Sequence, residues 1–319
     1  MIDVLKSTKF ILDQSKYARV SQKAICSLTN RVGKKDLQAS EIGLVMQGWP
    51  LDTLLQLIFI FNTINFCFWA GKNKEKWTVK IGDEELDGSI ALFRCIEKET
   101  EKNSALLSGS ELANLSRSHL QNILTGNTTI PLFNERLRCL NEAGRVLEKQ
   151  FGNSFIDIYK RARGDAMLLA DLLVTRFPCF NDISTYGRQI VGFYKRAQLN
   201  SKMISDALVS HGEKELKNLD KLTAFADYKI PQMLRKLGVI KYSKELAEKI
   251  DSYVLIGKDS EEEVEIRVAT IWAVEIIRQE VEKRYGFVTA ADVDTMLWNR
   301  SQTKQMGDKP YHRTLTIAY

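Results

Sequence analysis

Cysteine, histidine and proline are scarce in this chain of 319 residues: five, three and five copies respectively. The cysteines, Cys26, Cys67, Cys95, Cys139 and Cys179, are widely separated and form no CxxC pair. They read as reduced thiols that mostly fill core space. The histidines are scattered and match no zinc spacing, so no metal site is expected, and no cofactor is called for. No signal peptide opens the sequence, and a cytoplasmic location is expected. The most apolar run, Leu51 to Trp69, carries Gln56, Asn62, Thr63 and Asn65. It falls short of the ~20 apolar residues that a membrane span needs and reads instead as a buried helix. Positive charge is modest, at a net +6. That balance is too weak for a nucleic-acid arm and equally suits a phosphorylated small molecule.

With 44% hydrophobic residues the chain can bury a large core, as one large domain or two smaller ones. The pattern is mainly helical. Residues 1–48 suggest two short helices flanking a polar turn at Gly33, Lys34 and Lys35. Residues 77–89 change to alternation around a Gly-Asp turn, a β-hairpin excursion. Helical spacing then returns: a Ser108 or Ser110 cap, a helix from Pro131 to Gly152, and another from Phe155 to Phe177. Residues 257–286 form the clearest helix. Ser260 and Glu263 suggest a capping box there, acids cluster at the start and bases at the end, and Gly286 stops it. Helix electrostatics explain these acids, and none is assigned to chemistry.

The stretch LTAFADYKIPQ, Leu222 to Gln232, sets Asp227 between Phe225 and Tyr228 just ahead of a helix start. Asp227 has two readings, a helix cap or a ligand for a polar group, and caps are the commoner use of an aspartate there. Gly238 and Ser243 then join two helices in a pattern compatible with a helix-hairpin-helix unit. Asn62 and Asn65 lie three apart on one helix face, where buried amides require backbone or ligand partners. In FYKRAQ, Lys195 and Arg196 point different ways, and a solvated face is the default for such a pair. Near the end, Asp294 and Trp298 share a helix face.

LTAFADYKIPQMLRKLGVIKYS resembles the signature block of the queuosine salvage protein family. FNTINFCFW (Phe61 to Trp69), FYKRAQ (Phe193 to Gln198), VEIRVATIWAVEIIR (Val264 to Arg278) and HRTLTIAY (His312 to Tyr319) resemble its other blocks, in the family's order. The resemblance spans nearly the whole chain and implies a single domain, residues 1–319. It implies an all-helical, helix-hairpin-helix DNA-glycosylase-like fold. It also implies an N-glycosidase that releases queuine from queuosine 5′-phosphate, a small-molecule nucleotide substrate, with no membrane and no direct nucleic-acid partner. The family pattern resembles D-Y-x-L-W-D near the end. This chain keeps Asp294, Leu297 and Trp298 but has Thr295 and Asn299 in place of the tyrosine and second acid. A family histidine upstream has no counterpart between Met46 and Pro50, with Met46 at its place.

On that resemblance Asp294 and Asp227 are the candidate catalytic acids. Phe225, Thr295, Trp298, Asn299, Lys195 and Asn65 are candidate substrate contacts. Breaking an N-glycosidic bond develops a ribosyl cation, which a carboxylate beneath the anomeric carbon stabilises. Queuine is a 7-deazapurine and lacks a ring nitrogen that purine glycosidases protonate, so a second acid on the base edge is useful. Asp294 is assigned to the sugar and Asp227 to the base, the exchanged assignment remaining open. Phe225 and Trp298 would offer ring faces to the base, and Lys195 would bind the 5′-phosphate. Two alternatives stand beside this. A helix-hairpin-helix nucleic-acid binder or DNA glycosylase would show salt-dependent duplex binding. A non-catalytic helical module would bind no mononucleotide.

Overall fold

The computed structural model describes residues 1–37, 48–303 and 308–319. Met46, the place of the missing histidine, lies outside them. In chain order the elements begin with α1 (Val4–Gln14), β1 (Ala18–Val20), α2 (Gln22–Thr29) and α3 (Lys34–Leu37). Next come α4 (Leu51–Thr63), β2 (Thr78–Ile81), β3 (Glu84–Asp87), α5 (Gly88–Lys102), α6 (Gly109–Ala113) and α7 (Arg117–Ile123). The middle of the chain forms α8 (Phe133–Gln150), α9 (Phe155–Arg161), α10 (Ala166–Arg176), β4 (Ile183–Tyr186), β5 (Gln189–Gly192) and α11 (Lys195–Ser210). The last elements are α12 (Lys229–Lys236), β6 (Ile240–Tyr242), α13 (Lys244–Asp251), α14 (Glu261–Tyr285) and α15 (Ala290–Gln302).

The fold is therefore mainly helical, but it is not all-helical. Three two-stranded antiparallel ladders occur among the described residues, β1 with β6, β2 with β3, and β4 with β5. The hairpin expected near 77–89 is β2–β3, turning at Gly82 with φ +60. It is more than a surface excursion, because Trp77 is buried and donates its indole N–H to the Leu124 carbonyl at 3.2 Å. The β1–β6 ladder joins strands far apart in sequence and so had no local signature. Because β6 follows Gly238, α12 and α13 are joined through a strand rather than by a tight turn alone.

Other boundaries shift for local reasons. Lys34 and Lys35 open α3 instead of lying in a connection. Residues 155–177 split into α9 and α10 at Arg163 and Gly164, both with positive φ. At Ser260 only half of the expected capping box forms. Its hydroxyl accepts the Glu263 amide, while the Glu263 carboxylate takes the amide of Asp259. Four of the five cysteines are buried, and Cys26 is exposed.

The chain divides into two compact units interleaved in sequence. The first holds Met1–Ile42, Asp182–Lys195 and Asn218–Leu315, and the second Gly43–Asn181, Arg196–Lys217 and Thr316–Tyr319. The boundary inside α11 falls between Lys195 and Arg196.

The first unit is built on α14, against which α1, α2, α12, α15, β1, β4 and β6 pack. Surrounded in this way, α14 buries every residue from Glu263 to Ile271 and has no solvent face there. Its acids consequently differ in role. Glu261 and Glu262 sit at the amino end, where negative charge meets the helix dipole. Glu265 is fully buried and accepts the amides of Tyr17 and Ala18, at 2.6 and 3.2 Å, and the Tyr186 hydroxyl at 2.8 Å. A buried carboxylate needs such donors to offset its lost hydration.

The second unit is centred on α4, buried from Leu54 to Thr63. Phe59 stacks on Phe155 and meets Phe177 edge-on. The helix stops at Thr63, ahead of Trp69, because two buried guanidiniums take the carbonyls at its end. Arg196 donates to the carbonyls of Asn62, Thr63 and Cys179, and Arg136 to those of Ile64, Phe66, Cys67 and Pro131. Helix-end carbonyls lack intrahelical donors, and cations are favoured there. Asn62 bonds back within α4, giving its side-chain amide to the Ile58 carbonyl at 3.0 Å. Between α6 and α8, a side chain at Gly144 would collide with the backbone of Leu112 and Ala113, so glycine permits the close approach. Among the described residues no helix is long and apolar enough to cross a membrane.

Candidate active site

α15 opens with a capping box in which Thr289 and Asp292 exchange hydrogen bonds with each other's amides. Asp292 is thereby committed to the helix start. Asp294 is not: it is 4% exposed, and its Oδ2 accepts the Phe225 amide at 2.9 Å. This bond joins residues 69 apart in sequence and brings the acid of the last helix to the Leu222–Ala226 loop, all of which is buried. α12, which follows the loop, packs on α15. Thr295 is buried beside Asp294, and Trp298 and Asn299 are half-buried one turn further along.

Asp227 is half-buried, and its Oδ1 accepts the amides of Lys229 and Ile230 at 2.7 and 3.0 Å. That is the capping geometry for α12, so one oxygen of this carboxylate is held by the helix start. Phe225 is buried, and the Tyr228 ring lies 4.8 Å from that of Tyr311.

Lys195 is the first residue of α11 and is 6% exposed, contrary to the solvated face expected for the Lys-Arg pair. Its amide donates to Oδ2 of Asp182 at 3.1 Å. Arg196 is buried also, on the helix-end carbonyls described above. Asn65 is buried just past α4 and belongs to the second unit.

Two polar residues that the sequence did not single out, Arg267 and Asp182, lie in this region of the first unit. Arg267, in the second turn of α14, makes a bidentate ion pair with Asp182, at 2.8 and 2.6 Å. Its Nε donates to the Ala226 carbonyl at 3.3 Å, and Glu263 lies 3.8 Å away. The signal was present, since Arg267 interrupts the apolar stripe of Val264, Val268 and Ile271. A charge placed there must be exposed or paired.

His312, which with Arg313 is the next candidate for the phosphate contact after Lys195, is 1% exposed. Burial, helped by the positive Arg267, pushes its pKa from the ordinary 6.5 down to about 3. It is neutral near pH 7 and supplies no positive charge to a phosphate. Arg313 follows it, with its guanidinium 4.2 Å from the Tyr253 ring centroid.

A profile described as queuosine salvage protein matches residues 49–319. The chain belongs to the queuosine salvage protein family. A Sphaerobacter thermophilus protein named queuosine 5′-phosphate N-glycosylase/hydrolase is 33% identical over 320 residues, covering 100% of this chain and 98% of that protein. The Bos taurus protein of the same name is 29% identical, covering 98% of each chain. That of Schizosaccharomyces pombe is 26% identical, covering 97% of this chain and 94% of its own. The Phe225–Asp294 hydrogen bond joins the LTAFADYK stretch to the Asp294–Trp298 stretch, both compared above with this family.

Two outcomes follow from this geometry. Asp227→Asn keeps an acceptor for the Lys229 and Ile230 amides, since asparagine caps helices as well as aspartate does. Thermal stability is therefore expected to hold, while, with Asp227 read as a contact of the base, affinity for free queuine is expected to fall by roughly 1.5–3 kcal/mol, the range for a charge-assisted hydrogen bond. Equal queuine inhibition of variant and parent would leave Asp227 as a cap alone.

His312 sets an acid limit. Between pH 6.5 and about 3 the unfolded chain binds a proton that the folded His312 refuses. Its contribution to stability therefore falls with falling pH, by about 1.4 kcal/mol per unit in that window, and is constant above it. His312→Gln is expected to flatten the acid limb of a stability–pH profile by that slope. Superimposable limbs in denaturant titrations from pH 7 to 4 would contradict it.

Proposed function

We propose that this chain hydrolyses the N-glycosidic bond of queuosine 5′-phosphate, giving free queuine and ribose 5-phosphate so that the base returns to tRNA modification. Relatives that match nearly end to end carry that activity in their names. The observation that carries the reading in this molecule is the buried Asp294 carboxylate fixed to the amide of Phe225. A carboxylate held in a low-dielectric setting and oriented before reaction is the feature that a ribosyl cation requires.

In this mechanism the C1′–N bond breaks as positive charge develops on the anomeric carbon and ring oxygen. Asp294 stabilises that charge, water adds to C1′ and gives up a proton, and the departing base nitrogen takes one up, so that the water is divided between the two products. Queuine lacks the ring nitrogen that would accept a proton easily, so most of the stabilisation falls on the sugar side. Asp227 binds the donor edge of the base through the oxygen not engaged with Lys229 and Ile230. Phe225 and Trp298 flank the base, and Thr295 and Asn299 lie where the family's tyrosine and second acid stand. Lys195 binds the 5′-phosphate, an ammonium serving as a point charge for it. The wider architecture is read as helix-hairpin-helix DNA-glycosylase-like, with a mononucleotide rather than duplex DNA as ligand, in the cytoplasm.

The test is incubation of the purified chain with queuosine 5′-phosphate and chromatographic detection of queuine and ribose 5-phosphate in equal amounts. No queuine, together with duplex DNA binding that weakens steeply with salt, would replace this reading by a nucleic-acid binder.

A further inference from the structure

Asp182 collects five donors. Its carboxylate receives both terminal nitrogens of Arg267 and the Lys195 amide, and its backbone carbonyl receives the amides of Phe193 and Tyr194, at 2.9 and 3.3 Å. Arg267 is equally committed. It is 1% exposed, stacks over the Phe193 ring at 3.9 Å, and grips the Ala226 carbonyl through Nε. Ala226 lies between Phe225, whose amide is bonded to Asp294, and Asp227. An unbroken path therefore runs from Asp294 through Phe225 and Ala226 to Arg267, then through Asp182 to Lys195.

We propose that Asp182 and Arg267 are a positioning pair that sets the distance between the phosphate-binding Lys195 and the carboxylates Asp294 and Asp227. This rests on the reading of those three residues given under the proposed function. The pair touches neither sugar nor base. It fixes the start of α11 relative to the acid-bearing loop, so that a substrate anchored by its phosphate presents C1′ to Asp294. Remote binding energy of this kind helps the reaction only when the frame between the two points is rigid.

Two features distinguish this from a pair that merely holds the fold. First, a buried ion pair stabilises little compared with apolar residues of the same size, so stability alone does not call for one here. Second, the backbone next to Lys195 is strained. Tyr194 has φ +53, a region bulky residues avoid, and a side chain at Gly192 would run into the Tyr194 ring. Such a conformation persists when its surroundings over-determine it, and the two hydrogen bonds to the Asp182 carbonyl together with the Lys195 bond do so. Lysine could not replace Arg267, since an ammonium lacks the planar fork that serves Asp182 and Ala226 at once.

The experiment measures kcat/KM of the full chain for queuosine 5′-phosphate and for queuosine, in Asp182→Asn, Arg267→Lys, Lys195→Ala and the double variant Lys195→Ala with Arg267→Lys. The nucleotide-to-nucleoside ratio is expected to fall at least ~10-fold in each single variant, since a misplacement on the order of 1 Å can cost ~100-fold. It is expected to fall no further in the double variant than in Lys195→Ala, because the two changes break one link. If a single substitution strands a buried charge and prevents folding, Asp182→Asn combined with Arg267→Gln removes both charges and carries the same comparison. Equal losses on both substrates would make the pair structural and overturn the proposal. A ratio that falls in Lys195→Ala but not in Asp182→Asn or Arg267→Lys overturns the pair alone. A ratio unchanged in Lys195→Ala overturns the phosphate reading and the pair with it.

Discussion

Asp294→Asn is expected to give a folded protein that binds queuosine 5′-phosphate and releases queuine at least ~100-fold more slowly, the loss typical of one preorganised charge-stabilising group. The substitution is close to isosteric, and an amide oxygen can still accept the Phe225 N–H that now meets Oδ2 at 2.9 Å. The loop therefore keeps its place, and what disappears is the negative charge. At 4% exposure that charge is poorly screened by water, so it acts on a nearby cation more strongly than a surface carboxylate would. A ground-state substrate carries no positive charge at C1′, whereas the transition state does. The effect should thus appear in kcat, with affinity little changed. Single-turnover queuine release and equilibrium substrate binding separate the two. Near-parental turnover in the purified variant would remove Asp294 from the mechanism.

How far the sequence foretold this site depended on what each residue's partners are. Asp294 and Asp227 could be picked out because the blocks around them are distinctive, and the helix starts that hold them obey local capping rules. The sequence left two readings of Asp227 open, and the structure keeps both. Its Oδ1 caps α12, so the commonplace reading is true of one oxygen whatever the other does. Asp182 and Arg267 were missed because their meaning is wholly tertiary. Asp182 precedes the β4–β5 hairpin, a pattern no helical period announces, and Arg267 looked like one more charge on a charged helix. α14 turned out to be enclosed by neighbours from Glu263 to Ile271, which turned Glu265 and Arg267 from surface charges into buried hubs. The strand β1 was likewise hidden, since it pairs with β6, more than 200 residues away in sequence. Local propensity marks where elements begin and end; it does not say which face will meet another element.

Lys195→Ala is expected to lower kcat/KM for queuosine 5′-phosphate by ~10- to 100-fold while leaving queuosine hydrolysis nearly unchanged, as loss of a charge-assisted contact worth roughly 1.5–3 kcal/mol would do. The lysine is 6% exposed and starts α11, with its amide fixed to Asp182. Its aliphatic stem can pack in the interior while the ammonium reaches the ligand. Replacement by alanine keeps the amide and so preserves the bond to Asp182. The phosphate lies several bonds from the scissile bond, so its anchoring positions the ribose without taking part in the chemistry, and the nucleoside is indifferent to its loss. The neighbouring Arg196 is no neutral control for this measurement. Its guanidinium is buried on the carbonyls of Asn62, Thr63 and Cys179, so Arg196→Ala strips the end of α4 and reports on folding. The contrast is therefore the two-substrate ratio within Lys195→Ala itself. Were that ratio to match the parent's, the 5′-phosphate contact would have to be sought in Arg313, because neutral His312 offers no charge.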